Sequence, residues 1–266
     1  MPTILVSNDD GIDSPTLVPL VRELQKLGSV RVVVPTVERS WIGKAITRFG
    51  AVHVTETVRG GIPMHAVSGS PADCVNLAVH TLYPDKPDMV VSGVNLGLNF
   101  TMAFLISSGT VGAAIEAWIA GIPSIALSMA IPNDAYGLAG MQRIDALGDR
   151  PLAVAADITA ALLREGFPPD VDLFTVNMPA DATLATPREI SRVTRSRYGA
   201  LFAAGQNGGY EHSFEALWEI ESPHDGDMEV FRRGAVSIAP LRLDLGAPVA
   251  DKLARALCAA DAKREL

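Results

Sequence analysis

The sequence predicts an α/β protein with a Rossmann-like, doubly wound and mainly parallel sheet. Short apolar runs without polar alternation recur along the first two thirds of the chain, as is typical of parallel strands buried on both faces. Segments with a helical spacing of apolar residues separate these runs. The repeated strand–helix units favour an open parallel sheet with helices on both sides.

The first unit shows how each element is predicted. Residues 3–7 form an apolar run that ends in a polar loop, and Ser14 followed by Pro15 supplies an N-cap and a first-turn proline. Helical spacing of leucines then continues to Gly28, which is a typical helix stop. A second strand over residues 30–34 completes a βαβ unit.

The same pattern predicts the rest of the core. Ser70 with Pro71 opens one helix, and Gly121 and Pro123 break the chain between another helix and the strand after it. The predicted elements are a helix over residues 70–82, a strand over 89–92, a helix over 110–120, a strand over 124–128, a helix over 151–165 and a strand over 173–178.

From about residue 190 the pattern changes to short strands and hairpins. Strands are predicted over residues 191–194 and 236–241, and a terminal helix over residues 248–265. Because no low-complexity linker interrupts the chain, residues 190–266 are predicted to be an extension of the Rossmann-like core, residues 1–189, rather than an independent unit.

Composition and charge exclude some classes of function. The 266 residues are 48% hydrophobic, which provides a buried core and excludes a disordered chain. The 30 acidic residues exceed the 22 Lys and Arg, giving a formal net charge of −8, and no basic run is longer than a pair. Because a polynucleotide binder needs an extended basic face, we expect no nucleic-acid partner.

The sequence also indicates a reducing compartment. Its two cysteines, Cys74 and Cys258, form no CxxC pair and are interpreted as small buried apolar residues. The N-terminus becomes acidic too early for a signal peptide, and the apolar stretch 111–130 contains Glu116 and a Gly-Ile-Pro break. That stretch is predicted to be a helix, a turn and a buried strand, so we expect a soluble, cytoplasmic protein without a membrane partner.

Polar residues follow the strands at the edge where open parallel sheets bind ligands. Asn8, Asp9 and Asp10 come directly after the first strand. Two adjacent carboxylates repel each other unless a cation lies between them, and a hard divalent ion is the natural partner. The alternative is that both aspartates cap backbone amides in a turn. Neither a Gly-rich dinucleotide turn nor a P-loop motif occurs in the sequence.

Two later loops add neutral oxygens. Ser40 follows the second strand, close to Arg39 and Lys44 as candidate phosphate-facing charges, and Asn95 and Asn99 share a Gly-containing loop after the third. The alternatives are an ordinary surface loop and ordinary turn asparagines.

Ser108, Gly109 and Thr110 open an Ala-rich helix. The free N–H groups and positive dipole of such a helix start suit one phosphate, a role compatible with an ordinary N-cap. With Asp9 and Asp10 contributing two negative charges, a divalent metal would make the site about neutral and leave positions for water and a phosphate oxygen. The alternative phosphatase chemistry, an aspartyl nucleophile in a DxD frame, does not match the adjacent aspartates.

Five motifs follow one another in the first 130 residues or so, and two further segments follow at residues 176–179 and 234–241. The motifs are Ile4-Leu5-Val6-Ser7-Asn8-Asp9-Asp10-Gly11, Glu38-Arg39-Ser40, Gly69-Ser70-Pro71-Ala72-Asp73-Cys74, Ser92-Gly93-Val94-Asn95 and Ser108-Gly109-Thr110-Val111. Together they resemble the SurE family, the stationary-phase survival proteins that act as metal-dependent 5′-nucleotidases and phosphatases.

The resemblance implies one divalent cation per subunit, Mg²⁺ or Mn²⁺ with Ca²⁺ as an alternative. The implied metal ligands are Asp9, Asp10, Ser40 and Asn95. The residues implied around the scissile phosphate are Asn8, Asn99, Ser108, Gly109 and Thr110, and the implied catalytic residues are Asp9, Asn8 and Asn99. The resemblance also implies a homodimer or homotetramer in which residues 190–266, with their strands, hairpin and terminal helix, pack on the core and on a neighbouring subunit.

The expected function is a divalent-metal-dependent phosphomonoesterase that hydrolyses nucleoside 5′-monophosphates, and also 3′-monophosphates, by metal-assisted attack of water. A nucleotide-binding regulatory protein that has lost turnover is one alternative. A Rossmann-type transferase that uses an activated nucleotide donor is another.

Some residues depart from the family pattern, and others have more than one possible role. Residues 100–107 are apolar and acid-free, whereas the family has an N-x-G loop followed by an acidic residue, so substrate contacts and oligomer packing are expected to differ here. Trp41 is expected to stack on a base or to pack over its loop. Glu116 is expected to have a helix-start or intersubunit partner. His212 is expected at the surface or in the core, or near a neighbouring subunit's cleft.

Overall fold

The computed structural model describes residues 1–131, 150–205, 208–214 and 217–258. In chain order the strands are β1 (Thr3–Ser7), β2 (Ser29–Pro35), β3 (Val54–Arg59), β4 (Ile62–Val67), β5 (Met89–Leu96), β6 (Ser124–Met129), β7 (Leu173–Met178), β8 (Arg188–Ile190), β9 (Ser196–Tyr198), β10 (Phe202–Ala204), β11 (Tyr210–His212), β12 (Leu217–Glu219) and β13 (Val236–Leu241). The helices are α1 (Leu17–Gln25), α2 (Pro71–Leu77) with a π-helical continuation (Ala78–Leu82), α3 (Thr101–Ser107), α4 (Gly109–Ile119), α5 (Arg150–Glu165), α6 (Asp227–Arg232) and α7 (Asp251–Cys258).

Nine of these strands form one sheet in the order β3-β4-β2-β1-β5-β6-β7-β13-β8. The six strands from β4 to β7 are mutually parallel. Antiparallel pairs occur at β3–β4 and at β7–β13. Two small antiparallel pairs, β10–β11 and β9–β12, lie outside this sheet.

Alternate residues of the central strands face opposite helical layers. In β1, Ile4 and Val6 pack on the side of α1 and α5, whereas Leu5 packs on the side of α2 and α4. All three side chains are at most 1% exposed. Because both faces are buried, β1 shows no apolar–polar alternation. The predicted doubly wound, mainly parallel α/β class is confirmed.

The strand order reverses between β1 and β5. From β1 the chain builds outward through β2 and β4 on one side, and from β5 through β6 and β7 on the other. Register pairs Ser7 with Ser92 at the carboxyl ends of these two central strands. Such a reversal opens a crevice beyond the carboxyl ends of the strands, which is where the predicted site residues lie.

Several predicted elements coincide with those observed. β1 and β7 occupy the predicted residues, and α5 begins one residue before its predicted start. β5 continues to Leu96, four residues past its predicted end, because its pairing shifts register after Ser92 and resumes where Asn95 pairs with Ser128. The shift is a local irregularity of the kind that re-aims side chains near sites, and it puts Asn95 on a strand rather than in a loop.

The strand predicted over residues 191–194 is wrong. The strand there is β8, which ends at Ile190. Residues 191–194 instead turn towards α6: the Arg192 amide donates to the Asp225 carbonyl at 2.9 Å, and the Asp227 amide donates to the Arg192 carbonyl at 3.0 Å. The Ser191 amide still donates to the Ile238 carbonyl of β13 at 2.9 Å, but beyond it a single bridge between Arg192 and Gly226 takes the place of a sheet ladder.

Other elements were not predicted. The β3–β4 hairpin turns at Gly60 and Gly61, both with positive φ, and residues 101–107 form α3. α7 lies inside the predicted terminal helix, whose last residues fall outside those described. Cys74 is buried as expected, but Cys258 is exposed, because no residue of α7 is buried.

The apolar stretch 111–130 contains most of α4, a turn and β6, as predicted. Within the described ranges no single helix is long and apolar enough to span a membrane. α3 and α4 together are long and apolar enough, but a bend of 72° separates them.

Candidate functional site

A cavity of about 690 Å³ lies at the carboxyl ends of β1 and β5. Of the nine predicted site residues, those that line it are Asp9, Ser40, Asn95, Asn99 and Ser108. The other lining residues are Glu38, Trp41, Leu96, Gly97, Leu98, Phe104, Ser107, His212 and Phe214. His212 therefore lines the cavity of its own chain.

Asp9 is 3% exposed and is held by the first turn of α4. The hydroxyl of Thr110 donates a hydrogen bond to its Oδ1. A Cβ on residue 109 would lie 2.8 Å from the Asp9 Cβ and 3.0 Å from its Oδ2. Helix α4 can approach this closely because Gly109 has no side chain, and the positive end of its dipole then favours the ionised carboxylate.

Asp10 lies beside Asp9. The Leu96 amide donates to its Oδ2 at 3.1 Å and so joins the loop after β1 to the end of β5. Burial raises the pKa of both carboxyls above their usual range, and the negative charge of Asp9 raises the pKa of Asp10 further. The pair is therefore costly to ionise in the absence of a cation.

Glu38 is a third carboxylate, which the sequence reasoning did not assign to the site. Its Oε1 accepts a hydrogen bond from the Ser40 Oγ at 2.6 Å, so the serine oxygen keeps its lone pairs for another ligand. The charge of Glu38 also contributes to the raised pKa of Asp9 and of Asp10. The sequence feature that could have assigned Glu38 to the site is its position two residues before Ser40 in the same motif.

The two predicted asparagines are fixed by different partners. The Nδ2 of Asn95 donates to the Gly97 carbonyl at 2.7 Å, so Oδ1 is the atom that can face a cation. The Nδ2 of Asn99 donates to the Ser128 Oγ at 2.8 Å, and its backbone amide donates to the Asn177 Oδ1 at 2.8 Å. Because Ser128 and Asn177 belong to β6 and β7, the sheet itself positions Asn99.

Asn8, Asp10, Gly109 and Thr110 are not among the residues that line the cavity. Asn8, Gly109 and Thr110 instead position Asp9. Asn8 is fully buried. Its Nδ2 donates to the Gly11 carbonyl at 2.9 Å, and its Oδ1 accepts from the Gly11 amide at 3.2 Å. These two bonds fix the turn that carries Asp9 and Asp10.

Ser108 is the N-cap of α4 and also lines the cavity. Its Oγ accepts a hydrogen bond from the Val111 amide at 3.2 Å, which makes it the N-cap of α4. The same residue lines the cavity, so the capped helix start is open to a ligand.

No Lys or Arg occurs among the described residues that line the cavity. Lys44 instead pairs with Glu116 of α4 at 2.6 Å, and Asn76 donates to the other Glu116 oxygen at 2.8 Å. The Arg39 Nη2 donates to the Ser68 carbonyl at 2.9 Å. A phosphate dianion would thus meet carboxylates and no cationic side chain.

The Lys44–Glu116 ion pair also anchors the loop that carries Ser40. Glu116 is buried, and its partners lie within the same chain. The Gly43 amide donates to the Ser107 carbonyl at 2.9 Å. A Cβ on Gly112 would lie 2.3 Å from the Gly43 carbonyl oxygen, so α4 packs directly on this loop. One helix therefore positions both Asp9 and the Ser40 loop.

The donor set fits a hard divalent cation. Carboxylate, hydroxyl and amide oxygens are the ligands that Mg²⁺, Mn²⁺ and Ca²⁺ take. In the described part of the chain no three His, Cys, Asp or Glu side chains are placed together to hold an ion. Binding would therefore depend on the neutral oxygens of Ser40 and Asn95 as well as on Asp9 and Asp10, whose burial as a like-charged pair favours a cation.

The carboxylate pair makes the stability of the metal-free protein depend on pH. Because the folded-state pKa of both groups is raised, the folded protein binds more protons than the unfolded chain above about pH 4, and the free energy of unfolding falls as pH rises. In EDTA, Tm should be lower at about pH 8 than at about pH 5, and Mn²⁺ should raise it more at the higher pH.

The matched variant for this experiment is Asp10→Asn, which cannot ionise. Its Tm in EDTA should fall less between the two pH values than that of the wild type. Equal falls in the two proteins would contradict the assignment of this pH dependence to the pair.

Comparisons with known proteins show the family and the fold of the chain. A family model described as survival protein SurE matches residues 4–200. A 5′-nucleotidase SurE from Methanocella arvoryzae is 34% identical over 250 residues, covering 92% of this chain and 93% of that protein. A 5′-nucleotidase SurE from Geobacter sulfurreducens is 39% identical over 252 residues, covering 91% and 88%. The crystal structure of the SurE protein from Aquifex aeolicus matches with a TM-score of 0.76 at 30% identity, covering 96% of this chain and 99% of that one. The chain belongs to the SurE family.

Proposed function

We propose that the protein is a 5′-nucleotidase, a divalent-metal-dependent phosphomonoesterase that converts a nucleoside 5′-monophosphate and water into nucleoside and phosphate. The observation that carries the proposal is the desolvated pair Asp9 and Asp10 beside a cavity whose described lining contains neutral oxygens and no Lys or Arg. The relatives named 5′-nucleotidase SurE support the same reaction.

Asp9, Asp10, Ser40 and Asn95 would hold one divalent cation, Mg²⁺ or Mn²⁺ with Ca²⁺ as the alternative. When bound, such an ion supplies Lewis-acid polarisation of a phosphate oxygen and lowers the pKa of a water molecule. The charge of the pair is then offset, and the cavity accepts an anion.

The chain's own residues bind and orient the phosphate. Ser108 and the free N–H groups at the start of α4 donate to phosphate oxygens. Asn99, which Ser128 and Asn177 hold in place, also contacts the phosphate. Asn8 contributes through the turn that it fixes, and so acts as a positioning residue for Asp9.

In the proposed reaction a water molecule attacks phosphorus. The bond from phosphorus to the ribose 5′ oxygen breaks, and that oxygen leaves as the nucleoside hydroxyl with one of the two protons of the attacking water, whose oxygen and other proton stay on the phosphate. The same geometry would serve a 3′-monophosphate if the ribose binds in the reverse sense.

Phosphate release from AMP, GMP, 3′-AMP and p-nitrophenyl phosphate tests the proposal. We expect release with Mn²⁺ or Mg²⁺, loss of release in EDTA, and recovery on adding excess metal. Equal rates in EDTA would refute the metal dependence. Tight nucleotide binding without release would favour the regulatory protein, and release only with an added acceptor would favour the transferase.

We also propose that residues 190–266 pack on a neighbouring subunit and form a homodimer or homotetramer. In α7 no side chain is buried, although Leu253 and Leu257 lie one helical turn apart on the same face. Light scattering on the purified protein should give a multiple of the chain mass, and a monomer at micromolar concentration would refute the proposal.

A further inference from the structure

One side of the cavity is lined by aromatic rings. Trp41 follows Ser40 in the loop after β2, Phe104 lies in α3, His212 ends β11 and Phe214 follows it. We call these four residues the aromatic wall. Three segments that are far apart in the sequence thus converge on one side of the cavity.

Trp41 lies at the centre of the aromatic wall. Its ring centroid is 5.1 Å from that of His212, 5.5 Å from Phe104 and 6.3 Å from Phe214. Tyr198, which does not line the cavity, supports the Trp41 ring at 5.7 Å. These edge-on and tilted arrangements are favourable for aromatic pairs and hold the indole in one orientation.

Packing alone does not explain two features of Trp41. Its backbone φ is +59°, in the left-handed region that a bulky side chain rarely adopts. Despite four aromatic neighbours, its side chain remains 38% exposed. A residue that only filled the interior would be buried and unstrained, whereas this one is held in a strained conformation with part of its ring open.

The cavity therefore has two chemically different halves. The polar half carries Asp9, Ser40, Asn95 and Ser108, which suit a cation and a phosphate. The aromatic wall suits a planar apolar group attached to that phosphate. A nucleobase stacks on aromatic side chains and gains roughly 5- to 150-fold in affinity from each stack. A base-free sugar phosphate would leave the rings in water.

We propose that the aromatic wall binds the nucleobase, with Trp41 as the specificity-determining residue, so that substrates are selected by a planar leaving group. The selection of substrates rests on the proposed function, but binding of the base itself does not. Purines, which have the larger ring face, should bind more tightly than pyrimidines.

Steady-state kinetics with AMP and ribose 5-phosphate test the selection, because the two substrates share the phosphate and ribose and differ in the base. Trp41→Ala should raise the KM for AMP at least about fivefold and leave that for ribose 5-phosphate nearly unchanged. Trp41→Phe, which keeps a ring, should recover most of the loss. The control Trp218→Ala removes an exposed ring that does not line the cavity and should change neither KM.

Equal increases in KM for both substrates in Trp41→Ala would overturn the proposal, because they would show that the substitution acts through the Ser40 loop and not through the base. An unchanged KM for AMP would overturn it as well.

A second measurement keeps the proposal testable if the wild type hydrolyses neither substrate, an outcome that would count against the proposed function. Adenosine, which has no phosphate, should quench the tryptophan fluorescence of the wild type and of Trp218→Phe but not of Trp41→Phe. Quenching that persists in Trp41→Phe, or its absence from the wild type, would overturn base binding at the aromatic wall.

Discussion

Replacement of Asp9 by Asn is expected to lower kcat for AMP by about a thousandfold or more, since about 4 kcal/mol of Lewis-acid stabilisation is lost with the cation. Asparagine has the same shape as aspartate and keeps an oxygen that can accept the Thr110 hydroxyl hydrogen bond. It lacks the negative charge that a divalent cation needs. The effect is measured as the rate of phosphate release from AMP at saturating Mn²⁺.

The matched control is Asp13→Asn, four residues further along the same loop. The Asp13 side chain is 74% exposed and pairs with Arg59 at 2.6 Å, so its charge is on the surface. We expect its kcat to stay within about twofold of the wild type, as usual for surface substitutions. Asp9→Asn should also raise Tm in EDTA, because it removes a desolvated charge. An Asp9→Asn enzyme that kept more than about a tenth of the wild-type kcat would refute the role of Asp9.

Asp227 lies far from the proposed cation ligands in the sequence and is expected to contribute strongly to stability. Asp227→Ala is expected to lower the free energy of unfolding by about 3–5 kcal/mol. Asp227 is 1% exposed. Its Oδ2 accepts from the Thr101 amide at 2.6 Å, and its Oδ1 accepts from the Thr194 hydroxyl at 2.9 Å and the Met228 amide at 3.1 Å. Alanine would leave these buried donors unpaired.

Part of this loss in the free energy of unfolding is offset. Burial raises the pKa of Asp227 and makes its negative charge unfavourable, and alanine removes that charge. Thr101 makes the loss larger, since its backbone φ is +56° and the bond to Asp227 holds this strained start of α3. Tm should fall by roughly 6–15 °C in a chain of this size. The control is Asp225→Ala. The Asp225 side chain is 63% exposed, so this substitution should change Tm by less than about 2 °C. Similar Tm values for the two variants would contradict this account.

The core of the fold could be predicted because a strand that is buried on both faces is rich in apolar residues, and this enrichment is visible in the strand's own sequence. The runs that became β1, β6 and β7 consist mostly of apolar residues, so no knowledge of their neighbours was needed. The β3–β4 hairpin could not be predicted in this way. β3 is mostly exposed, so no burial pattern marks it, and it depends on pairing with β4.

The candidate site was predictable where it depends on parallel strands. Asp9, Asn95 and Ser108 each follow or end a strand or start a helix at the same sheet edge, and topology brings such residues together. Phe214 and Asp227 gave no signal of this kind, because Phe214 meets Trp41 and Phe104, and Asp227 meets Thr101, across more than 100 residues, and only the folded chain shows these contacts. Thr110 was expected near the phosphate, and its hydrogen bond to Asp9 shows a supporting contact that spacing cannot reveal.

The two halves of the cavity come mostly from different segments of the chain and share the loop after β2, where Ser40 belongs to the polar half and Trp41 to the aromatic wall. The polar half depends on β1, β5 and the start of α4, where Gly109 and Gly112 leave no room for a side chain. The aromatic wall comes from a loop, a short helix and a hairpin that lie outside the parallel strands. Mutations at Phe104, His212 and Phe214 can therefore accumulate without moving the proposed cation ligands, whereas the loop that carries Trp41 also carries Ser40. On the proposed function, the aromatic wall is the part of this protein to redesign for a new leaving group.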